Sequence, residues 1–193
     1  SEDSLNLGGT ESEITILFSD IRGFTSMSEK LSPTQIVKLL NKYFKSMIDV
    51  VFKFNGTLDK IVGDELMVLY GVPLKSEDDT ENAVKTAVQM FKSLDKFNER
   101  IIKDGFKPFK IGIGINKGKA VSGNIGSDQQ MNYTVIGDTI NLGARLCSHA
   151  KSGQILISNS VKDVIGDNYD FKKIPTIEVK GKSKPIEVWS YMH

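Results

Sequence analysis

The segment TLDKIVGDELMVLY, residues 57–70, decides how the rest of this 193-residue chain is interpreted. Thr57 to Val62 and Glu65 to Tyr70 are two runs of strand-forming residues, and only Gly63 and Asp64 separate them. Because glycine permits the tight turn that joins antiparallel strands, this pattern predicts a β-hairpin. The turn would present the carboxylate of Asp64 at one end of a sheet.

A strand and a long helix are predicted before the hairpin. Ile14 to Phe18 is a short apolar run that stops before Asp20, which predicts a strand ending in a carboxylate. Ser32 and Gln35 flank a proline in the pattern of a capping box, so a helix is expected to begin there. Apolar residues then recur every three or four positions as far as Val51, as one face of an amphipathic helix requires.

The hairpin is followed by a second amphipathic helix, predicted from Val84 to Ile101, and by further short elements. These are strands at Lys110–Asn116, Ala120–Ile125, Tyr133–Ile136, Gln154–Ile157 and Ile186–Tyr191, and a helix at Thr139–Ser148. The order strand, helix, hairpin, helix, strand predicts an α+β domain with a ferredoxin-like βαββαβ core and C-terminal additions. Residues 14–193 form this domain, and residues 1–13 are interpreted as a linker or the tail of an upstream region.

The composition restricts the class of function. A net charge of +1, with 39% hydrophobic and 25% charged residues, argues against disorder and against broad electrostatic binding to nucleic acid or a membrane. No apolar run has the length of a membrane span, and the first residues lack a signal-peptide core. Cys147 is the single cysteine, which is typical of a reducing, cytoplasmic compartment, and we expect it to be a buried structural thiol.

Two carboxylates are the first candidates for chemistry. Asp20 ends the first predicted strand, Asp64 lies in the hairpin turn, and these two elements are neighbours in a ferredoxin-like core. Two adjacent carboxylates repel each other, and Mg²⁺ binds such a pair together with phosphate oxygens. Taken alone, each aspartate is better explained as a loop or capping residue than as a metal ligand.

Three other polar residues are ambiguous when taken alone. Asn141 and Arg145 are four positions apart on a predicted helix and share one face, a spacing that by itself favours solvated surface residues. Lys180 belongs to a basic turn that is equally consistent with simple solvation.

Gly112 and Gly114 lack the third glycine of a dinucleotide-binding fingerprint, so they are interpreted as strand glycines.

Three blocks carry a family resemblance: FSDIRGFT at residues 18–25, KIVGDE at residues 60–65 and YTVIGDTINLGARL at residues 133–146. Together, in this order and spacing, they resemble the catalytic domain of class III adenylyl and guanylyl cyclases. The resemblance extends from about Ile14 to Tyr191 and implies the class III nucleotidyl cyclase fold. It also implies a lyase that forms a cyclic nucleotide.

The resemblance assigns the metal and transition-state residues. It implies that Asp20, Asp64 and the backbone carbonyl of Ile21 hold two Mg²⁺ or Mn²⁺ ions. Such ions lower the pKa of the ribose 3′-hydroxyl and hold the departing pyrophosphate. Asn141 would orient the ribose, and Arg145 would stabilise charge on the α-phosphate with its planar pair of donors.

The remaining assignments concern the base and the triphosphate. By the resemblance, Lys60 and Thr134 read the purine, and Lys180 contacts the β- and γ-phosphates. A lysine donates to adenine N1, which is an acceptor, so adenine is preferred, although Thr134 departs from the aspartate of many animal enzymes. Many relatives have a basic residue near Gln129 and Gln130, so the absence of one here puts that triphosphate contact in doubt.

The expected function is therefore an adenylyl cyclase that converts ATP to 3′,5′-cyclic AMP and pyrophosphate. The resemblance implies a homodimer in which one chain supplies the Asp20 and Asp64 carboxylates and the other chain completes the site. The domain is expected to be cytoplasmic, either by itself or as the cytosolic catalytic domain of a larger, membrane-attached protein, without direct membrane contact or a nucleic-acid partner. The alternatives are a catalytically silent cyclase-like domain, a guanylyl cyclase, and a nucleotidyl transferase of the polymerase-palm type.

Overall fold

The computed structural model describes residues 9–193. Residues 1–8 of the predicted lead-in lie outside the described residues. The described chain forms strands and helices in the following order: β1 (Thr10–Ile21), α1 (Phe24–Ser28), α2 (Pro33–Lys53), β2 (Thr57–Val62), β3 (Glu65–Tyr70), α3 (Asp79–Lys103), β4 (Ile111–Ser127), β5 (Gln130–Ile136), α4 (Asp138–His149), β6 (Gln154–Ser158), α5 (Asn159–Ile165), β7 (Lys172–Ile177) and β8 (Ile186–Met192).

One mixed sheet organises these elements. Its strand order is β2-β3-β1-β4-β6-β8-β7, and β5 pairs with β4 outside that path. β1 is antiparallel to both β3 and β4, and β6 is parallel to β4. The first four strands with α2 and α3 are the predicted ferredoxin-like core, and β6, β8 and β7 extend its sheet. The predicted fold class is thereby confirmed.

Alternation along the strands sends side chains into two separate hydrophobic layers. Leu17 and Val68 are directly paired and face the main core, where they pack with α2 and α3. Phe18 and Met67 are the next pair, and they face the opposite layer, beneath α4. Asp20 has the same parity as Phe18, so the predicted metal carboxylate lies on the α4 side of the sheet.

The start of α2 shows the predicted capping box. The Ser32 hydroxyl accepts a hydrogen bond from the Gln35 backbone N–H at 3.2 Å, and the Gln35 side chain accepts one from the Ser32 N–H at 3.0 Å. These bonds satisfy two N–H groups that a helix start otherwise leaves unpaired, and losing such a cap costs about 1 kcal/mol.

No helix within residues 9–193 combines the length and apolarity needed to cross a membrane.

β4 differs most from the sequence prediction. The two strands predicted at residues 110–116 and 120–125 are one continuous strand, Ile111–Ser127. Lys117, Gly118 and Lys119 resemble a break, but a β-carbon at Gly118 would lie 2.6 Å from the Thr139 hydroxyl of α4. The glycine therefore permits close packing of a helix and does not mark a turn.

Other differences are smaller. β1 begins at Thr10, four residues before the predicted start at Ile14, and its added residues pair with β4 as far as Ser122. The segment at residues 22–25 is expected to be a loop, but α1 begins at Phe24. α5 and β7 had no sequence prediction, and a helix of five or seven residues shows too few turns for an apolar period to be recognised.

Candidate active site

The structure brings Asp20 and Asp64 together. Ser19 of β1 is directly opposite Leu66 of β3, so Asp20 lies beside the β2–β3 turn that carries Asp64. The side chain of Asp20 retains 29% of its exposure, and its carboxyl group interacts with that of Asp64. The predicted proximity of the two carboxylates is confirmed.

This arrangement disfavours two negative charges in the absence of a cation. Burial, followed by the neighbouring Asp64 carboxyl group, raises the pKa of Asp20 to about 6, and the Arg22 guanidinium acts in the opposite direction. Burial also raises the pKa of Glu65, which adjoins the same turn. The carboxylate end of the site is therefore electrostatically frustrated.

The residues present fit a divalent cation. Oδ1 of Asp20 is buried and has no hydrogen-bond partner among the described residues. A carboxylate oxygen without a donor, beside a second carboxylate, matches the oxygen ligands that Mg²⁺ and Mn²⁺ prefer. Residues 9–193 contain no cluster of three or more His, Cys, Asp or Glu side chains arranged to hold a metal ion.

The second part of the site is a cleft beside α4. Asn141 and Arg145 project from the exposed side of this helix, and together with Lys180 from the β7–β8 loop they line a cavity of about 540 Å³. Lys182 of the same loop lies 3.3 Å from Asp138 in the first turn of α4. The structure thus brings together three of the side chains that the sequence singled out.

The cleft can bind an anion. Arg145, Lys180 and Lys182 provide three cationic groups around it, against the single carboxylate of Asp138. Arginine offers a planar pair of donors and lysine a mobile point charge, a combination that suits phosphate oxygens. The cationic side chains around the cleft therefore outnumber its carboxylate, as a site for a highly charged anion requires.

α4 is held unusually close to the sheet. A β-carbon at Gly143 would lie 2.9 Å from Cγ2 of Ile16, and one at Gly114 would collide with the backbone of α4 at Cys147. Asn116 donates to the carbonyl of Thr139 at 2.9 Å and fixes the start of the helix. These contacts determine where Asn141 and Arg145 are presented.

The predicted base-reading residues lie elsewhere. Lys60 is opposite Met67 in the β2–β3 hairpin, and its ammonium group lies 3.8 Å from Asp59. Thr134 is opposite Gly123 in the β4–β5 hairpin and donates a weak hydrogen bond to the Asn132 carbonyl at 3.3 Å. Neither residue lines the cleft beside α4.

Within one chain the site is split. Asp20 is opposite Gly112 and Thr134 is opposite Gly123, eleven residues further along β4. At about 3.3 Å per residue this is roughly 36 Å along the strand. The carboxylates lie on the β3 side of β1, whereas the cleft opens on the other side of α4, towards β7 and β8.

Cys147 is a structural residue, as expected. Its side chain is 1% exposed, and burial raises the pKa of the thiol to about 12. A thiol with such a pKa is not a nucleophile at neutral pH. Sequence reasoning overlooked Arg22, which lies 3.5 Å from Asp20; its signal was its place in the FSDIRGFT block.

Comparison with known proteins identifies the family. The family model described as "Adenylate and Guanylate cyclase catalytic domain" matches residues 9–192. An adenylate cyclase of Anabaena cylindrica is 36% identical over 91% of this chain and 36% of the relative. Adenylate cyclase 1 of Rhizobium meliloti is 31% identical over 92% of this chain and 27% of the relative. The chain therefore spans about a third of these relatives or less.

Solved structures agree with this result. The crystal structure of the guanylyl cyclase Cya2 superimposes with a TM-score of 0.90 at 42% identity, covering 95% of this chain and 93% of that one. The adenylyl cyclase CyaB from P. aeruginosa gives a TM-score of 0.91 at 37% identity, with 95% of each chain covered. The fold, the three sequence blocks and the family match agree, and the chain belongs to the adenylate and guanylate cyclase catalytic domain family, the class III cyclases.

Proposed function

We propose that this domain is an adenylyl cyclase whose two active sites are each shared between two copies of the chain. The observation that carries the proposal is the separation of the site within one chain. Asp20 and Asp64 form an acidic half on one side of α4, and Asn141, Arg145 and Lys180 form a basic half on the other. In a dimer with a twofold axis, the acidic half of each chain faces the basic half of the other chain, which forms two equivalent active sites.

In the proposed reaction the ribose 3′-oxygen of ATP attacks the α-phosphorus. The bond from the α-phosphorus to the bridging oxygen of the β-phosphate breaks, pyrophosphate leaves, and the 3′-hydroxyl proton passes to solvent. Asn141 orients the ribose, and Arg145 stabilises the charge that develops on the α-phosphate. Lys180 binds the β- and γ-phosphates in the cleft.

The carboxylates of Asp20 and Asp64, with the backbone carbonyl of Ile21, hold the divalent cations. When bound, Mg²⁺ or Mn²⁺ ions lower the pKa of the 3′-hydroxyl and neutralise the departing pyrophosphate. The nucleophile belongs to the substrate, so no serine or cysteine nucleophile is needed. The buried, unpaired Oδ1 of Asp20 supports this assignment.

Adenine is favoured by the residues at the base-reading positions. Lys60 has an exposed ammonium group that can donate to adenine N1, whereas guanine carries a proton on that nitrogen. Thr134 can accept from the adenine 6-amino group. Overall identity does not decide between the bases, because a guanylyl and an adenylyl cyclase structure are similar to this chain at 42% and 37% identity.

An exposed apolar hairpin supports the dimer. The β4–β5 hairpin carries large apolar side chains with exposed fractions of 37–55%. Paired residues share a face, so these side chains occupy both faces of the hairpin. They are Val121, Ile125, Met131, Tyr133 and Ile136. A two-sided apolar hairpin is typical of a segment covered by another chain.

Complementation tests the proposal. Asp20→Ala and Arg145→Ala chains are each expected to be inactive, and a mixed dimer is expected to regain one intact site. Cyclic AMP formed from ATP with Mn²⁺ is measured by chromatography, and mixed dimers are isolated with two different affinity tags. Inactive mixed dimers would exclude the shared site, and an active demonstrated monomer would exclude the dimer requirement.

The same assay with GTP tests the second candidate, a guanylyl cyclase, the activity for which the similar structure Cya2 is named. We expect the ratio of kcat/KM for ATP to that for GTP to exceed one. A ratio below one would replace the adenylyl assignment, and no product from either nucleotide would indicate a silent domain.

A further inference from the structure

The side chain of Arg22 connects the acidic half to α4, the helix that carries Asn141 and Arg145. Its Nη1 lies 3.5 Å from Oδ2 of Asp20. Its Nε donates a hydrogen bond to the carbonyl of Ala150 at 3.1 Å, and its Nη2 donates to the carbonyl of Cys147. One guanidinium group therefore contacts both a carboxylate of the acidic half and the C-terminal end of α4.

The surroundings of Arg22 accommodate this position. A β-carbon on Gly112, the residue opposite Asp20 in β4, would lie 2.8 Å from Nε of Arg22. The backbone N–H of Arg22 donates to the Lys110 carbonyl at 2.7 Å, which fixes the start of the side chain. Gly112 therefore leaves the space that the guanidinium group occupies.

The chemistry of the contacts gives Arg22 two separate tasks. The last carbonyls of a helix lack intrahelical partners and carry the negative end of its dipole, so a cationic fork stabilises them. The carboxylate of Asp20 needs a positive charge nearby while no metal is bound. A guanidinium group has enough donors, in a fixed plane, to serve both.

We propose that Arg22 is a positioning residue that acts as the counter-cation of Asp20 until a divalent cation binds and that also fixes the last turn of α4. This inference rests on the proposed shared site. In that dimer, Asp20 and the α4 helix of one chain serve different active sites. Arg22 thus links the metal half of one site to the transition-state half of the other.

The two tasks predict effects of opposite sign. Without Arg22, a divalent cation no longer competes with a positive charge for Asp20, so the cation is expected to bind roughly threefold to fivefold more tightly, the scale of a partly exposed ion pair. Without Arg22, the carbonyls of Cys147 and Ala150 lose the guanidinium donors, although the Ala150 N–H still donates to Leu146 and Cys147, and Arg145 is held less well. Turnover is then expected to fall roughly tenfold, because small displacements of a catalytic group are costly.

Mixed dimers separate the tasks. In a dimer of an Asp20→Ala chain and an Arg145→Ala chain, one active site is intact. It takes its carboxylates from the Arg145→Ala chain and its α4 from the Asp20→Ala chain. Arg22→Met is placed in one chain or the other, and the Mn²⁺ requirement and kcat of the mixed dimer are measured. Arg100→Met, an exposed position on α3, is the control.

The expected results differ between the two placements. In the Arg145→Ala chain, Arg22→Met should lower the Mn²⁺ concentration for half-maximal activity by roughly threefold to fivefold and leave kcat little changed. In the Asp20→Ala chain, it should lower kcat roughly tenfold and leave the Mn²⁺ requirement unchanged. An equal loss of activity from both placements, with no change in Mn²⁺ requirement, would mean a merely structural role and overturn the proposal.

Two measurements on the otherwise unmodified chain need no activity. Calorimetric titration of the nucleotide-free protein should show tighter Mn²⁺ binding for Arg22→Met and near-parental binding for Arg22→Lys, which keeps the charge. Hydrogen exchange of the amides from Leu146 to His149 should quicken in both variants, because lysine lacks the fork, while exchange in α2 stays the same. Unchanged Mn²⁺ affinity and unchanged exchange in Arg22→Met would overturn the proposal even if the shared site itself failed its test.

Discussion

The acidic end of the sheet and the cleft beside α4 are built in different ways. Asp20 and Asp64 are partly buried, and the register of β1 and β3 fixes their positions. Asn141, Arg145 and Lys180 are exposed, and they project from one helix and one loop. The first region holds like charges together against their repulsion, and the second holds donors open to solvent.

The two regions therefore differ in how much electrostatic repulsion the folded chain contains. The acidic end carries strain that a cation relieves, so its chemistry is prepared before any substrate arrives. The cleft carries little strain, because its cationic groups are solvated and one of them is paired with Asp138. Substitutions at the acidic end should therefore alter both activity and stability, whereas those in the cleft should alter activity alone.

The most severe test of the comparison removes a carboxylate. Asp20→Ala or Asp64→Ala is expected to abolish cyclisation of ATP while the protein stays folded, because a single remaining carboxylate would not hold the cations in place. Product formation and the thermal midpoint are measured together. Near-normal activity of either variant in Mg²⁺ would show that the acidic end is not the metal site.

The corresponding test of the cleft is Arg145→Ala. Its kcat should fall by roughly 10²–10³, the scale of one lost transition-state donor, with a smaller change in KM and no change in melting temperature. Steady-state kinetics with ATP provide both parameters. A raised KM with normal kcat would instead assign Arg145 to ground-state phosphate binding.

A smaller effect is expected on base selectivity, to which neither region contributes directly. Lys60→Glu combined with Thr134→Cys reverses the hydrogen-bonding polarity of the proposed base pocket, so preference should move from ATP towards GTP by roughly tenfold or more. The ratio of kcat/KM values for the two nucleotides measures the shift. An unchanged ratio would remove both residues from base reading.

The smallest effect concerns stability and pH. Burial and Asp64 raise the pKa of Asp20 to about 6, above its ordinary value of 3.8. The folded protein therefore binds a proton that the unfolded chain releases between these values, and stability falls as pH rises through this range. Asp64→Asn relieves the repulsion, so the metal-free variant should melt about 2–4 °C above the parent at pH 7.5.

The control for this prediction is the pH itself. The difference between Asp64→Asn and the parent should shrink towards pH 4, where Asp20 of the folded parent is protonated and no longer repels Asp64. Mn²⁺ should stabilise the parent and not the variant, which would reverse their order. Scanning calorimetry with and without metal gives these midpoints, and an equal difference at both pH values would contradict the electrostatic explanation.

The sequence predicted those elements whose signals lie within a few neighbouring residues. The hairpin at residues 57–70 has the predicted bounds, because Gly63 and Asp64 separate two runs of strand-forming residues. The capping box at Ser32 also has the predicted partners. Local signals were sufficient in both cases, since each depends on residues within a few positions of one another.

Contacts between residues far apart in the chain could not be predicted from the sequence. Gly118 resembled a break in β4 until the hydroxyl of Thr139 was seen to occupy the space of its missing side chain. Arg22 gave no periodic signal, because its partners Cys147 and Ala150 are more than 120 residues away. The roles of Lys60, Thr134 and Ile21 came from the family resemblance, and they remain predictions.

The seam of glycines beneath α4 has a consequence for how this domain tolerates mutation. Gly114 and Gly143 bring helix and sheet within a distance that no larger residue allows. A single added methyl group at either position would lift the helix without altering any group that contacts a nucleotide. In a saturation mutagenesis screen, Gly114 and Gly143 should therefore tolerate substitution as poorly as Arg145. During evolution, loop residues can be substituted far more freely than these two glycines.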